Sequence, residues 1–411
     1  MTKKILLDLG ELYVSDFLSD INTEYDGREK APLTLTMDES IGAPRLTKAV
    51  NPDVMYGRYW YHSGTNASMT NQLREIAEEV SSRIKYNKGD IWLDIACNDG
   101  TMFRFIPKEF TKLGIDPVED SFLDMSTGLA DSGVQDYFSI EAYEKTGYGD
   151  EKCKVITTIA MFYDLDNAHQ FIEDVKSVLD DDGIWVVQIS YTPLMVKQMA
   201  FDNICHEHVY YHSLNSLKKL IEPHGFKIVD CSLNDTNGGS CRVYFQKENA
   251  KENSFGTKPL RDTCEFRVNS LLNYETNEMN ISKPEVWEQF HQDLQELKQQ
   301  TVDFVRKERA RGKVIYGYGA STKGNTLLQY YGLTSDDITA IAERSPEKYG
   351  KFVVGTNIPI VSEKVMRKAN PDYLFVLPWH FIKEFCERES KFLNSGGKFI
   401  VPCPKFEVIG K

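Results

Sequence analysis

The pattern of apolar and polar positions changes character along the 411 residues. Residues 1–67 show no sustained period and carry scattered Gly, Pro, Asp and aromatic residues, so they read as a small irregular cap. From Ser68, an expected N-cap, Met69, Leu73, Ile76, Ala77 and Val80 recur at helical spacing and lead into the apolar run 91–96. Further apolar runs at 113–115, 155–162 and 184–189 are separated by helix-compatible stretches such as 166–179. Strands alternating with helices predict an α/β fold with a mostly parallel sheet, because parallel neighbours need crossover connections. The runs 225–229 and 240–246 would close that sheet with antiparallel strands.

A polar passage at 248–263 reads as a linker, and 266–311 as helical with a break at Pro284. A second α/β pattern begins at Lys313, with strands predicted at 314–318, 338–342, 373–377 and 398–401. The division that follows is a cap at 1–67, one α/β unit at 68–250, and a helical linker with a second α/β unit at 251–411.

Charge narrows the partners. With 48 basic against 61 acidic residues the net charge is −13, which repels nucleic acid and anionic membranes. The eight cysteines form no C-x-x-C pair, as expected of reduced thiols in a cytoplasmic protein, and no apolar run approaches membrane-spanning length. No feature of the sequence decides the oligomeric state.

Two loops and one cluster carry the candidate chemistry. Asp94-Ile95-Ala96-Cys97-Asn98-Asp99-Gly100 follows the first predicted strand, at the carboxyl edge where open α/β sheets bind ligands. Asp116-Pro117 ends the next strand, placing an acid where ribose hydroxyls can be held. One glycine in place of G-x-G-x-x-G favours a cofactor without a diphosphate, and S-adenosylmethionine fits better. The second loop, Gly317 to Thr326, follows a strand and enters a helix; Ser321, Lys323 and Asn325 suit a phosphate or diphosphate there, with Glu343 ending the next strand.

Between them lies Phe201-Asp202-Asn203-Ile204-Cys205-His206-Glu207-His208-Val209-Tyr210-Tyr211, two imidazoles and a carboxylate in three residues, suited to proton transfer near neutral pH. A metal reading would put His208 and His212 on one helical face, but H-E-x-x-H is absent and no metal is expected. Arg242, after the turn at Gly238-Gly239, either faces an anion or covers a strand; Tyr59 and Tyr61 either pack or supply a phenol and a stacking surface.

The set Tyr59-Trp60-Tyr61-His62-Ser63-Gly64, Asp94 to Gly100, Asn203 to His208, Gly238-Gly239-Ser240 and Gly317 to Asn325 resembles the S-adenosylmethionine-dependent sugar C-methyltransferases that act on nucleotide-linked 4-keto-deoxysugars. The resemblance spans nearly the whole chain. It implies a class I methyltransferase unit followed by a Rossmann-like unit that helps hold the nucleotide sugar. It also implies His208 as base, with Glu207 and Tyr61 or Tyr59 beside it; His206 could orient that base or hydrogen-bond the ketone oxygen. Asp94, Cys97, Asn98, Asp99, Gly100, Asp116, Pro117 and Ala160 would then hold the cofactor, and Tyr59, Asn203, Arg242, Ser321, Lys323, Asn325 and Glu343 the substrate. Members of the family hold zinc near the N-terminus through two cysteine pairs, whereas no cysteine here precedes Cys97, and Asp38 to Gly42 stands about where the second pair belongs. Cys205 replaces a tyrosine common before H-E-H. The competing expectations are an O- or N-methyltransferase, a nonenzymatic binding protein on a degenerate methyltransferase fold, and a nicotinamide oxidoreductase using the second loop.

Overall fold

A computed structural model describes residues 4–20, 29–56, 62–65, 67–118, 128–251 and 254–410. The Ala67–Arg83 helix buries Met69, Leu73, Ile76, Ala77 and Val80, the stripe read from the sequence; Ser68 lies inside its first turn, not at its cap. It packs on a seven-stranded sheet. Its strands are β5 (Ile91–Ile95), β6 (Thr111–Asp116), β7 (Ser132–Gln135), β8 (Cys153–Ile159), β9 (Leu179–Ser190), β10 (Phe226–Asn234) and β11 (Ser240–Lys247), in the order β10-β11-β9-β8-β5-β6-β7. The pairs from β7 through β9 are parallel, and β11 runs antiparallel to both β9 and β10. This is the class I methyltransferase form of the Rossmann-like fold. Every residue of β5 is buried, as a central parallel strand covered on both faces requires.

The second α/β unit holds β12 (Ile315–Tyr318), β13 (Ile341–Glu343), β15 (Ile360–Ser362), β16 (Tyr373–Val376), β17 (Lys398–Val401) and β18 (Glu407–Ile409), ordered β15-β13-β12-β16-β17-β18. Counted within the unit this is the 3-2-1-4-5-6 order of a dinucleotide-binding sheet, with an antiparallel last strand. The helices Lys258–Asn277 and Pro284–Ala310 join the two units, and Pro284 opens the second of them.

The N-terminal region departs from the expected irregular cap. β1 (Ile5–Tyr13), β3 (Lys30–Asp38) and β4 (Ala43–Leu46) form an antiparallel sheet, and β2 (Phe17–Leu18) pairs with β14 (Phe352–Val353) of the second unit. Register shifts at two points of β1 break its alternation, so its period is not visible in sequence. The alternation Leu33-Thr34-Leu35-Thr36 in β3 is visible and was a missed signal. Leu7, Leu33, Leu35 and Leu46 share one apolar cluster with Trp287, Ile315 and Leu327. The region therefore belongs physically to the second unit. At Asp38 to Gly42 the chain makes a turn in which Asp38 accepts from the Ser40 backbone N–H at 3.0 Å and Gly42 takes φ 69°. No helix among the described residues is long and apolar enough to cross a membrane.

Candidate active site

The loops after β5 and β8 meet where the strand order reverses, and both need unusual backbone. Ala96 (φ 60°), Asn98 (φ 51°) and Ala160 (φ 59°) are left-handed non-glycine residues at the two strand ends. Such conformations are costly for alanine and cluster at ligand sites. Asp116, at the end of β6, uses both carboxylate oxygens on backbone N–H groups, Asn98 at 2.7 Å and Val118 at 2.9 Å, and so fixes the loop. The Asn98 side chain accepts from Ser63 N–H at 3.0 Å and Asp99 from Gly64 N–H at 2.8 Å. Asp94 is buried and accepts from the Thr157 hydroxyl at 2.6 Å; burial raises its pKa to about 7.

These residues open onto one cavity of about 360 Å³ that also reaches Tyr163, Asp164, Glu207, His208 and Lys323. Asp94, Asp116, Asp164, Asp166 and Glu207 outnumber its one ammonium, that of Lys323, among the described lining residues. Ile115, Val118, Phe138 and Met161 add apolar walls. Acidic groups with an apolar slot suit S-adenosylmethionine, which carries a sulfonium, an ammonium and an adenine, and suit a dinucleotide diphosphate poorly. Asp94, Cys97, Asn98, Asp116, Pro117 and Ala160 line this part of the cavity; Asp99 and Gly100 shape the loop behind them. Because cofactor-free Asp94 holds its proton up to about pH 7 and a cationic cofactor favours the carboxylate, affinity is expected to rise with pH and level off above about 7. Calorimetric titration in two buffers of different ionisation enthalpy should then show proton release, absent in Asp94→Asn.

The Phe201–Asn203 turn leads into a second, non-helical turn in which His208 N–H donates to the Cys205 carbonyl at 3.2 Å, so His208 and His212 share no helical face. Its position comes from both sides. Val209 and Tyr210 donate backbone N–H groups to the Tyr163 carbonyl at 3.0 and 2.9 Å, and Leu46 N–H and the Pro44 carbonyl pair with Val209 and Tyr211 at 2.9 Å. His208 Nδ1–H donates to the Asn203 carbonyl at 2.7 Å, which leaves the lone pair on Nε2. The Tyr163 ring stands edge-on, 4.4 Å from the imidazole. Burial, then the Lys323 ammonium, lower the His208 pKa to about 3, so it is neutral at pH 7. Burial raises Glu207 to about 6, against the pull of Lys323.

Cys205, Glu207 and His208 each bring a ligand-type atom within 4.8 Å of the others. The Lys323 charge acts on all three, so positive charge is already supplied there. Lys323 Nζ donates to Asn203 Oδ1 at 2.5 Å, joining the second unit to the 201–211 segment.

Other sequence candidates sit elsewhere. His206 points to the N-terminal sheet, Nε2 being 3.0 Å from the Ala31 carbonyl. Arg242 is buried against Gln188 at 3.1 Å and ion-paired with Glu79. Ser321 caps its helix by accepting from Gly324 N–H at 3.0 Å, and Asn325 donates to the Asp16 carbonyl at 3.2 Å. Glu343 accepts from Ala320 N–H at 2.7 Å and Ser345 N–H at 2.9 Å, the second-unit counterpart of Asp116. Tyr59 and Tyr61 lie outside the described residues. Tyr163 and Asp164 were missed; the signal was their place just after β8 at the carboxyl edge of the sheet.

Residues 67–230 match the model of a methyltransferase domain, and residues 235–404 that of the C-methyltransferase C-terminal domain. The two matches together take in both α/β units, a methyltransferase domain followed by a C-methyltransferase C-terminal domain. Among curated proteins the chain is 29% identical to the C-methyltransferase NovU of Streptomyces niveus over 390 residues, 93% of this chain and 89% of that protein. Among solved structures, it resembles a magnesium protoporphyrin IX methyltransferase from Synechocystis with bound S-adenosylmethionine (11% identity, TM-score 0.33, 47% of this chain and 87% of that one). The mitomycin 7-O-methyltransferase MmcR is similar to the same degree (14%, TM-score 0.35, 44% and 55%). The cofactor is S-adenosylmethionine, and its methyl group goes to carbon.

Proposed function

We propose that the acceptor is a nucleotide-linked 4-keto-deoxysugar, methylated on a carbon next to its ketone through an enolate, with His208 as base. The observation that carries this reading is the neutral imidazole whose free Nε2 belongs to the cavity shared with Asp94 and Asp116. O- or N-methylation needs only the removal of a polar proton; a buried neutral base set beside a cation is better suited to a carbon acid whose charge moves onto oxygen. Thr322 and Lys323 from the dinucleotide-type sheet line the same cavity, which supports a substrate carrying a nucleotide.

When bound, the cofactor supplies an electrophilic methyl carbon. His208 Nε2 takes the carbon-bound proton, its Nδ1–H staying on the Asn203 carbonyl, and Glu207 offsets the imidazolium that results. Tyr163 and the segment around it keep water from the imidazole. Incubating the protein with cofactor and a panel of nucleotide-linked 4-keto-deoxysugars in deuterated water, followed by mass spectrometry, is expected to show a methyl gain with loss of one carbon-bound proton. Methyl gain on oxygen or nitrogen would replace this reading with the corresponding transfer.

A further inference from the structure

We propose that Lys323 is a catalytic residue of the methyl transfer, its ammonium stabilising the oxyanion that forms on the substrate ketone. This assignment rests on the enolate reading above and changes the role of Lys323 from the phosphate anchor that its loop suggests.

The geometry sets Lys323 and His208 on a single residue. Asn203 Oδ1 accepts from Lys323 Nζ at 2.5 Å while the Asn203 carbonyl accepts from His208 Nδ1–H at 2.7 Å. Both side chains line one cavity with Glu207. Lys323 is the second residue of the Thr322–Tyr331 helix, so the partial positive charge of that N-terminus adds to its own. A diphosphate anchor is normally one of several convergent donors, yet Ser321 Oγ and the Asn325 amide of this loop are engaged within the protein. The titratable groups that feel the Lys323 charge are Asp202, Cys205, Glu207 and His208 of the 201–211 segment, together with His380.

Electrons move as follows. The C–H pair becomes the enolate C=C bond, the carbonyl π pair moves to oxygen, and the proton goes to His208 Nε2. The ammonium donates a hydrogen bond to that oxygen and keeps its proton. The enolate carbon then bonds to the methyl group, the S–CH3 pair stays on sulfur, and the ketone re-forms. A weakly basic imidazole needs such help, because the cation stabilises the oxyanion far more than the neutral ketone, and more strongly out of water.

The test is exchange of the substrate's carbon-bound hydrogen with deuterated water, followed by proton NMR with S-adenosylhomocysteine replacing the methyl donor. Lys323→Met in the full chain is expected to slow exchange about 10²–10³-fold, the usual cost of one oxyanion donor, with KM within about threefold and homocysteine-analogue affinity unchanged. Added ethylammonium should restore part of the rate to Lys323→Ala, and Lys323→Arg should retain more rate than Lys323→Met. Wild-type exchange in Lys323→Met with a raised KM would return Lys323 to anchoring. Failure of the amine to rescue a Lys323→Ala protein that still binds the cofactor analogue would also overturn the assignment. If the wild-type protein itself exchanges no carbon-bound hydrogen in the panel, the enolate reading is what fails.

Discussion

His208→Ala is expected to lower kcat by about 10³-fold, within the usual range for a positioned general base, while S-adenosylhomocysteine binds as to the wild type. The imidazole takes no part in the hydrogen bonds that fix the loop after β5, those of Asp116 with Asn98 and Val118. Removing it leaves those hydrogen bonds intact. Since His208 titrates near 3, the acid limb of the pH–rate profile should not be its own. Glu207, raised to about 6, is a carboxylate only above that pH, and it is the carboxylate that offsets a newly formed imidazolium. Thus kcat/KM should fall about tenfold per unit below pH 6, and Glu207→Gln should lower the plateau and flatten that limb. Full turnover in His208→Ala would sink the base assignment and move it to a neighbour in the cavity.

What the sequence showed of this site, and what it hid, follows from the range of the interactions. Runs such as 91–96 and 184–189 announce strands because strands covered on both faces are apolar at nearly every position, here all but Asp94 and Gln188. An acid after the second strand of a unit is equally local, and both Asp116 and Glu343 are found there. Each carboxylate is used on loop N–H groups, a pairing fixed only when two strands sit side by side.

The cluster at 206–208 was legible as chemistry, yet its division of labour was not. The chain turns at Cys205–His208, where His208 N–H donates to the Cys205 carbonyl at 3.2 Å, and that turn sends His206 to Ala31 while Glu207 and His208 line the cavity. Arg242 was hidden for a similar reason: its partners Gln188 and Glu79 lie 54 and 163 residues away. Of the N-terminal sheet only the Leu33–Thr36 alternation of β3 is local; its core is completed by the second α/β unit, more than 250 residues later, which no local pattern shows.

The largest expected loss of stability comes from Asp230→Ala. Asp230 is fully buried on β10 and holds Arg83 Nη1 at 2.6 Å and Arg267 Nη2 and Nε at 2.6 and 3.0 Å. It ties the end of the Ala67–Arg83 helix and the Lys258–Asn277 helix to the edge of the methyltransferase sheet. Breaking a buried pair from one side typically costs about 3–5 kcal/mol, because the remaining charge stays desolvated. Arg267 is 35% exposed and can turn to water, and Arg83 keeps Glu79, which favours the lower end, about 3 kcal/mol. An exposed pair such as Lys4–Glu288, with both side chains over 60% exposed, should contribute about 1 kcal/mol or less.

The loss should reach function, because the Ala67–Arg83 helix presents Met69 and Leu73 to the cavity lined by Asp94 and His208. Urea unfolding followed by hydrogen exchange of β8 and β9 is expected to show a lower midpoint in Asp230→Ala. S-adenosylhomocysteine at a hundredfold excess over its Kd should return about 2.7 kcal/mol. Replacing the group together, Arg83→Met with Asp230→Leu and Arg267→Met, should recover much of the loss, since no charge is then left buried and unpaired. A midpoint for Asp230→Ala within about 0.5 kcal/mol of wild type, the range of an ordinary surface change, would mean that burial already cancels the attraction in this trio.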